Sequence, residues 1–162
     1  MVEPNTLEPT LQDFIGRVGL GFEKRGAPGM AGRILAFLWV APQPVQSSSD
    51  IAQSLQTSSG TVSINTRLLE EMCLIQRVSV PGRRGAFFEV RRDAWDMMFK
   101  SQLDEVRSFR EAFDAALDAL HDANPERVRR LQTVRSFYAF LEGELPALVE
   151  RWRRQLEELG EE

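Results

Sequence analysis

The sequence is poor in the residues that build covalent, redox and metal sites: 162 residues include one cysteine, one histidine and one tyrosine. The single cysteine, Cys73, excludes an internal disulfide, and the single histidine, His121, excludes most histidine-based metal centres. Long apolar runs are also missing. The longest, Ile34 to Pro42, falls far short of the roughly 20 residues that cross a membrane, so no membrane partner is expected. The N-terminus has no basic segment followed by an apolar stretch, so no secretory leader is expected either and a cytoplasmic setting fits. No glycine-rich phosphate cradle is present, since Gly16, Gly19 and Gly21 follow no strand. Cys73 is expected as a core thiol and His121 in a turn without a Ser or Cys partner. The chain reads as no enzyme, with no cofactor and no metal.

Charge of one sign is scarce where a nucleic-acid binder would want it. The net charge is −4. Residues 1–40 carry 4 basic and 4 acidic side chains, residues 41–91 carry 5 and 4, and residues 92–162 carry 11 and 16. The negative balance therefore sits in the last segment. The middle segment is faintly basic, and two of its arginines, Arg83 and Arg84, fall together at a loop tip, where local charge outweighs the total.

What is present is a pair of short helical patterns between Ser49 and Met72. Ser49 is the expected N-cap of the first, with Ile51, Ala52 and Leu55 on one side. Gln56-Thr57-Ser58 interrupts the pattern. Ser58 then caps a second helix whose expected buried positions are Val62, Thr66, Leu69 and Met72. Its opposite face, at 100° per residue, carries Gly60, Ser63, Ile64 and Arg67. With Ser59 and Thr61 in the first turn, this leading end is small and nearly uncharged, as entry into a major groove requires. Gly60 permits close backbone approach, and the helix N-terminus favours a phosphate oxygen. Ser63 suits a base edge, Ile64 a thymine methyl, and Arg67 a guanine or a phosphate.

The rest of the chain supports that reading. Thr6 to about Arg25 is expected as a helix weakened by glycines that also permit close helix contact, and Gly32 to Val40 as a second helix ended by Pro42 and Pro44. Val45-Gln46-Ser47 fits a short edge strand. Leu74 to Val80 and Ala86 to Val90 flank Pro81-Gly82-Arg83-Arg84-Gly85, a hairpin signal. Beside a two-helix reader such a hairpin is a wing, with Arg83 and Arg84 placed for a minor groove or a phosphate backbone. From Arg92 onward two long helices are expected. Asp93 favours the start of the first, and Asn124 and Pro125 open the second. Pro146 is expected to kink the last helix, with Gly143 loosening the same turn. The apolar repeat, which includes Leu141 and Leu145, would leave faces exposed in a lone chain, so a homodimer is expected.

Several stretches together resemble MarR-type winged-helix transcriptional regulators, and more closely their GbsR-like branch. They are Gly26 to Leu38, Asp50 to Leu55, Ser58 to Ile75 and Val80 to Val90, with Trp95 after the wing. The resemblance covers about residues 10–120, and the last helix is similar in type only. Two positions depart from the branch. Gln56 and Thr57 stand where a glycine and an apolar residue are usual, so Gln56 would have to take a left-handed backbone at about 1 kcal/mol. Gly29 stands where an arginine is usual.

The resemblance implies a dimeric, sequence-specific regulator of double-stranded DNA, most often a repressor. Relatives of that branch are associated with osmoprotectant or choline-related genes. A quaternary ammonium effector would need an aromatic cage, but Trp39, Trp95, Phe99, Tyr138 and Trp152 recur at helical spacing and read as core, so the effector is left unknown. The expected architecture is mainly α with a small β wing. Residues 1–28 form an N-terminal dimerisation helix, 29–91 the winged helix-turn-helix DNA-binding domain, and 92–162 a C-terminal helical dimerisation region. The alternative is a winged-helix module that binds another protein and no DNA. The small polar reader face and the arginine wing speak against it, since protein anchors are aromatic or aliphatic.

Overall fold

The computed structural model describes residues 8–120 and 124–159. Among these residues six helices and a three-stranded sheet occur in the order α1 (Pro9–Glu23), α2 (Gly29–Val40), β1 (Gln46–Ser47), α3 (Ser48–Ser54), α4 (Ser59–Glu71), β2 (Ile75–Val78), β3 (Phe87–Val90), α5 (Ala94–Asp118) and α6 (Pro125–Leu159). They form two compact units, Met1–Trp95 and Asp96–Glu162. Among the described residues no helix is long and apolar enough to cross a membrane.

In the first unit α2 is buried from Ala31 to Leu38, with only Arg33 partly open. Around it gather Ile15 of α1, Ile51 of α3, Val62 and Leu69 of α4, Ile75 of β2 and Phe88 of β3. Helix α1 runs unbroken through its glycines, whose intrinsic cost of about 1 kcal/mol each is offset by tertiary packing. The packing explains one of them, Gly19, together with Gly32 of α2. A Cβ at Gly19 would stand 2.7 Å from the Arg33 side chain, and one at Gly32 would stand 2.8 Å from the Phe22 ring and 2.9 Å from the Val18 carbonyl oxygen. Gly16 and Gly21 face open space. Helix α2 begins at Gly29, three residues before the expected Gly32, because Pro28 supplies a preset entry and its carbonyl already accepts from Ala31 N–H.

The sheet order is β1-β3-β2, antiparallel throughout, with Gln46 opposite Phe88, Ser47 opposite Phe87, and Val78 also opposite Phe87. Strand β1 is the expected edge strand, and it runs straight into α3. That junction moves the helix cap: Ser47, not Ser49, is the N-cap. Its Oγ accepts from Asp50 N–H at 3.1 Å while the Asp50 carboxylate accepts from Ser47 N–H at 3.2 Å, a capping box. Ser49 lies inside the first turn and shares a 2.8 Å hydrogen bond with the Ser47 hydroxyl.

The second unit is a pair of long helices. Asn124 Oδ1 accepts from Glu126 N–H at 2.9 Å and Pro125 opens α6, as expected. Asp93 precedes α5 and is held by a two-pronged bond from Arg91, at 2.8 and 2.6 Å. The turn expected at His121 to Ala123 lies outside the described residues. Helix α6 continues through Gly143 and Pro146. Arg107 and Arg110 of α5 both donate to Glu142 of α6, while Asp114 of α5 accepts from Arg110 and from Arg135 of α6. Beside this network Tyr138 stacks on Phe109 and Phe113, at 5.2 and 5.8 Å between ring centres. Such rings join the two helices by area and by quadrupole alignment.

Candidate nucleic-acid interface

The reader pair is built from two helices that end the same way. After α3, Thr57 N–H bonds to Ala52 O at 2.9 Å and Gln56 N–H to Gln53 O at 3.2 Å, and Gln56 sits at φ +50°. After α4, Leu74 N–H bonds to Leu69 O and Cys73 N–H to Glu70 O, both at 3.0 Å, and Cys73 sits at φ +57°. Each pair is a Schellman closure, in which the residue after the C-cap turns left-handed and usually is glycine. Gln56 therefore takes the left-handed backbone that its position requires. Cys73 does the same, which corrects its expected place on the buried side: it is partly exposed in the closing turn.

Helix α4 starts at the cap expected of it. Ser58 Oγ accepts from Thr61 N–H at 3.0 Å and lies 2.8 Å from the Thr61 hydroxyl. Val62, Thr66 and Leu69 are buried, as their spacing predicts. Met72 is not, because it is the C-cap residue, where the chain leaves the helical line. Asn65 fills the buried side instead, its Nδ2 donating to Thr61 O at 2.8 Å, and a polar residue at that point gave no apolar signal to follow.

The opposite face is free. Ser58, Ser59, Gly60, Ser63, Ile64 and Arg67 are exposed and Thr61 is partly so. Ile64 is 69% exposed, the most open of the large apolar side chains among the described residues. Arg67 forms no ion pair among the described residues. The surface thus offers hydroxyls, one methyl-bearing chain and one uncommitted guanidinium along two turns, together with the unpaired N–H groups of a helix start.

The wing forms as its sequence predicts. Arg83 N–H bonds to Val80 O at 3.1 Å across Pro81 and Gly82, and Gly82 has φ +75°. Proline at the second position and glycine at the third define a type II turn. Gly85, at φ +119°, brings the chain back into β3. Arg83 and Arg84 are both exposed at the tip. One partner was not anticipated: the Arg83 guanidinium lies over the Phe87 ring, 4.9 Å from its centre. Arg77 of β2 lies likewise over Phe88, at 5.3 Å. The sequence signal was the aromatic pair itself, read only as strand-forming.

Comparison with known proteins agrees with this geometry. Residues 93–155 match a family model described as the MmpR5-like MarR family transcriptional regulator, a stretch that takes in most of the last helix, which was expected to be similar in type only. The HTH-type transcriptional regulator MmpR5 of Mycobacterium tuberculosis is 32% identical over 148 residues, covering 91% of this chain and 90% of that protein. A crystal structure of a transcriptional regulator is 32% identical and superposes with a TM-score of 0.73, covering 90% of this chain and 99% of the other. On this kinship and fold the chain belongs to the MmpR5-like MarR family of winged-helix transcriptional regulators.

Proposed function

We propose that this regulator binds double-stranded DNA as a homodimer in the cytoplasm and represses the genes beside its operator. Helix α4 reads the major groove with Ser63, Ile64 and Arg67. Ser58, Ser59, Gly60 and Thr61 set the helix start against a phosphate, and Arg83 and Arg84 carry the wing to the minor groove or the backbone. The observation that carries this reading is the division of α4 into a buried face and an exposed face on which the Ile64 and Arg67 side chains make no hydrogen bond, ion pair or ring contact among the described residues. Residues 29–91 hold the DNA-binding part, and residues 1–28 and 92–162 supply the dimer contacts.

The closer kinship with the GbsR-like branch belongs to the same reading and rests on the motifs from Gly26 to Leu38 and from Val80 to Val90. The dimer is supported by an apolar stripe on α6: Val134, Phe137, Phe140 and Leu148 are exposed although a soluble helix buries such residues. The test is the affinity of Arg67→Ala for a duplex that the wild-type protein selects from genomic DNA. A loss of about 1–3 kcal/mol against that duplex, with little change on random DNA, is expected if Arg67 reads a base. An equal loss on both would make Arg67 a backbone contact.

A further inference from the structure

We infer that the two adjacent arginines of the wing have different tasks: Arg84 makes the DNA contact, and Arg83 is a positioning residue that holds the wing by covering Phe87. The inference rests on the DNA-binding reading above and divides a site which that reading treats as one. Phe87 and Phe88 are both buried, but only Phe88 belongs to the main core cluster. Neighbouring residues of a strand face opposite sides of a sheet, so Phe87 points away from that core. The Arg83 guanidinium, 4.9 Å from the ring centre, lies over the aromatic surface that the core does not hold.

The backbone is arranged for this return. The turn hydrogen bond at Val80 fixes the Arg83 N–H, and the left-handed glycines at 82 and 85 bracket the two arginines in a tight tip. Arg84 makes neither an ion pair nor a ring contact among the described residues. Of two equal charges, one is committed to the sheet and the other is free to be placed. A wing that left both long side chains loose would lose more rotamer freedom on binding than one with a single mobile arginine.

The experiment compares Arg83→Met, Arg83→Ala and Arg84→Met with wild type, on the duplex that wild type enriches from random-sequence DNA, by fluorescence anisotropy from about 50 to about 200 mM salt. Methionine keeps a long apolar cover on the ring and removes the charge. Arg84→Met should lower the slope of log affinity against log salt by about 0.9 for each wing bound. Arg83→Met should leave that slope near wild type and cost less affinity than Arg83→Ala, which should weaken binding about two- to fivefold at an unchanged slope. Equal loss of slope in both methionine variants would leave DNA binding intact and overturn the division. An unchanged slope in both would take the wing off the DNA and overturn it as well. Failure of wild type to enrich any duplex would overturn the DNA-binding reading itself, and the division with it.

Discussion

At the scale of single residues, backbone conformation is where this chain departs from the economical choice. Gln56 and Cys73 hold left-handed positions that close α3 and α4, whereas the corresponding closure after α1 uses glycine, Gly26, at φ +78°. A side chain there costs about 1 kcal/mol against glycine, part of which is offset by the greater freedom of an unfolded glycine. Gln56→Gly is therefore expected to raise unfolding stability by about 0.5–1 kcal/mol, measured by urea denaturation. A lowered midpoint would mean that the Gln56 side chain contributes more than its strain costs. The caps at Ser58 and Asn124 were legible because they are local: a hydroxyl or amide oxygen beside a helical pattern has few other uses. Ser47 was not legible in preference to Ser49, since three serines in a row offer the same chemistry and the choice depends on where β3 ends β1. The exposure of Met72 likewise follows from the chain's departure at the C-cap, which periodicity does not see.

Individual elements show a different balance. The reader helix was legible almost whole, because a helix that is buried on one side and free on the other writes that division into its spacing. The wing was legible from Pro81, Gly82 and Gly85. The contact between α1 and α2 was legible only as a tendency, since which glycines matter depends on crossing geometry. Gly32 now stands out: a methyl there meets the Val18 carbonyl oxygen, which belongs to a helix backbone and cannot turn aside. Gly32→Ala is expected to lower stability by about 1–3 kcal/mol despite the better helix propensity of alanine, read from a denaturant midpoint. A gain in stability would show that the two helices separate at little cost.

The join between α5 and α6 gives a pH dependence. Arg110 first, and then Arg107, hold the Glu142 carboxyl below its usual value. Arg135, followed by Arg110, does the same for Asp114. A carboxyl lowered in the folded state stabilises it above the unfolded value, near 4, and that contribution disappears as pH falls through the folded value. The difference in midpoint between wild type and Glu142→Gln should thus be fully present at about pH 7 and shrink as pH falls below the unfolded value of about 4. A difference that persisted in acid would assign the effect of Glu142 to packing. None of these partners could be paired from sequence alone, because arginines and carboxylates alternate along both helices and several pairings satisfy the spacing.

For the whole molecule, the unanswered surface is the stripe on α6. Phe137 is 55% and Phe140 62% exposed, while Leu141 and Leu145 are partly buried. Aspartate at Leu141 and Leu145 would disturb the chain's own packing, so the dimer is better tested at Phe137 and Leu148. Sedimentation of Phe137→Asp/Leu148→Asp should give a folded monomer with much weaker operator binding. An intact dimer would move the interface elsewhere. The two long helices were legible from their apolar repeat, but the faces they leave open were not, since a repeat does not tell which of two adjoining stripes its hairpin uses.

Recognition of a particular DNA sequence is measured directly by anisotropy of the purified protein on DNA from a genomic selection. The measurement is made at two salt concentrations with random DNA as competitor. Saturable binding that weakens with salt yet survives the competitor is the predicted result. Binding that the competitor removes completely, or a selection that enriches nothing, would contradict it.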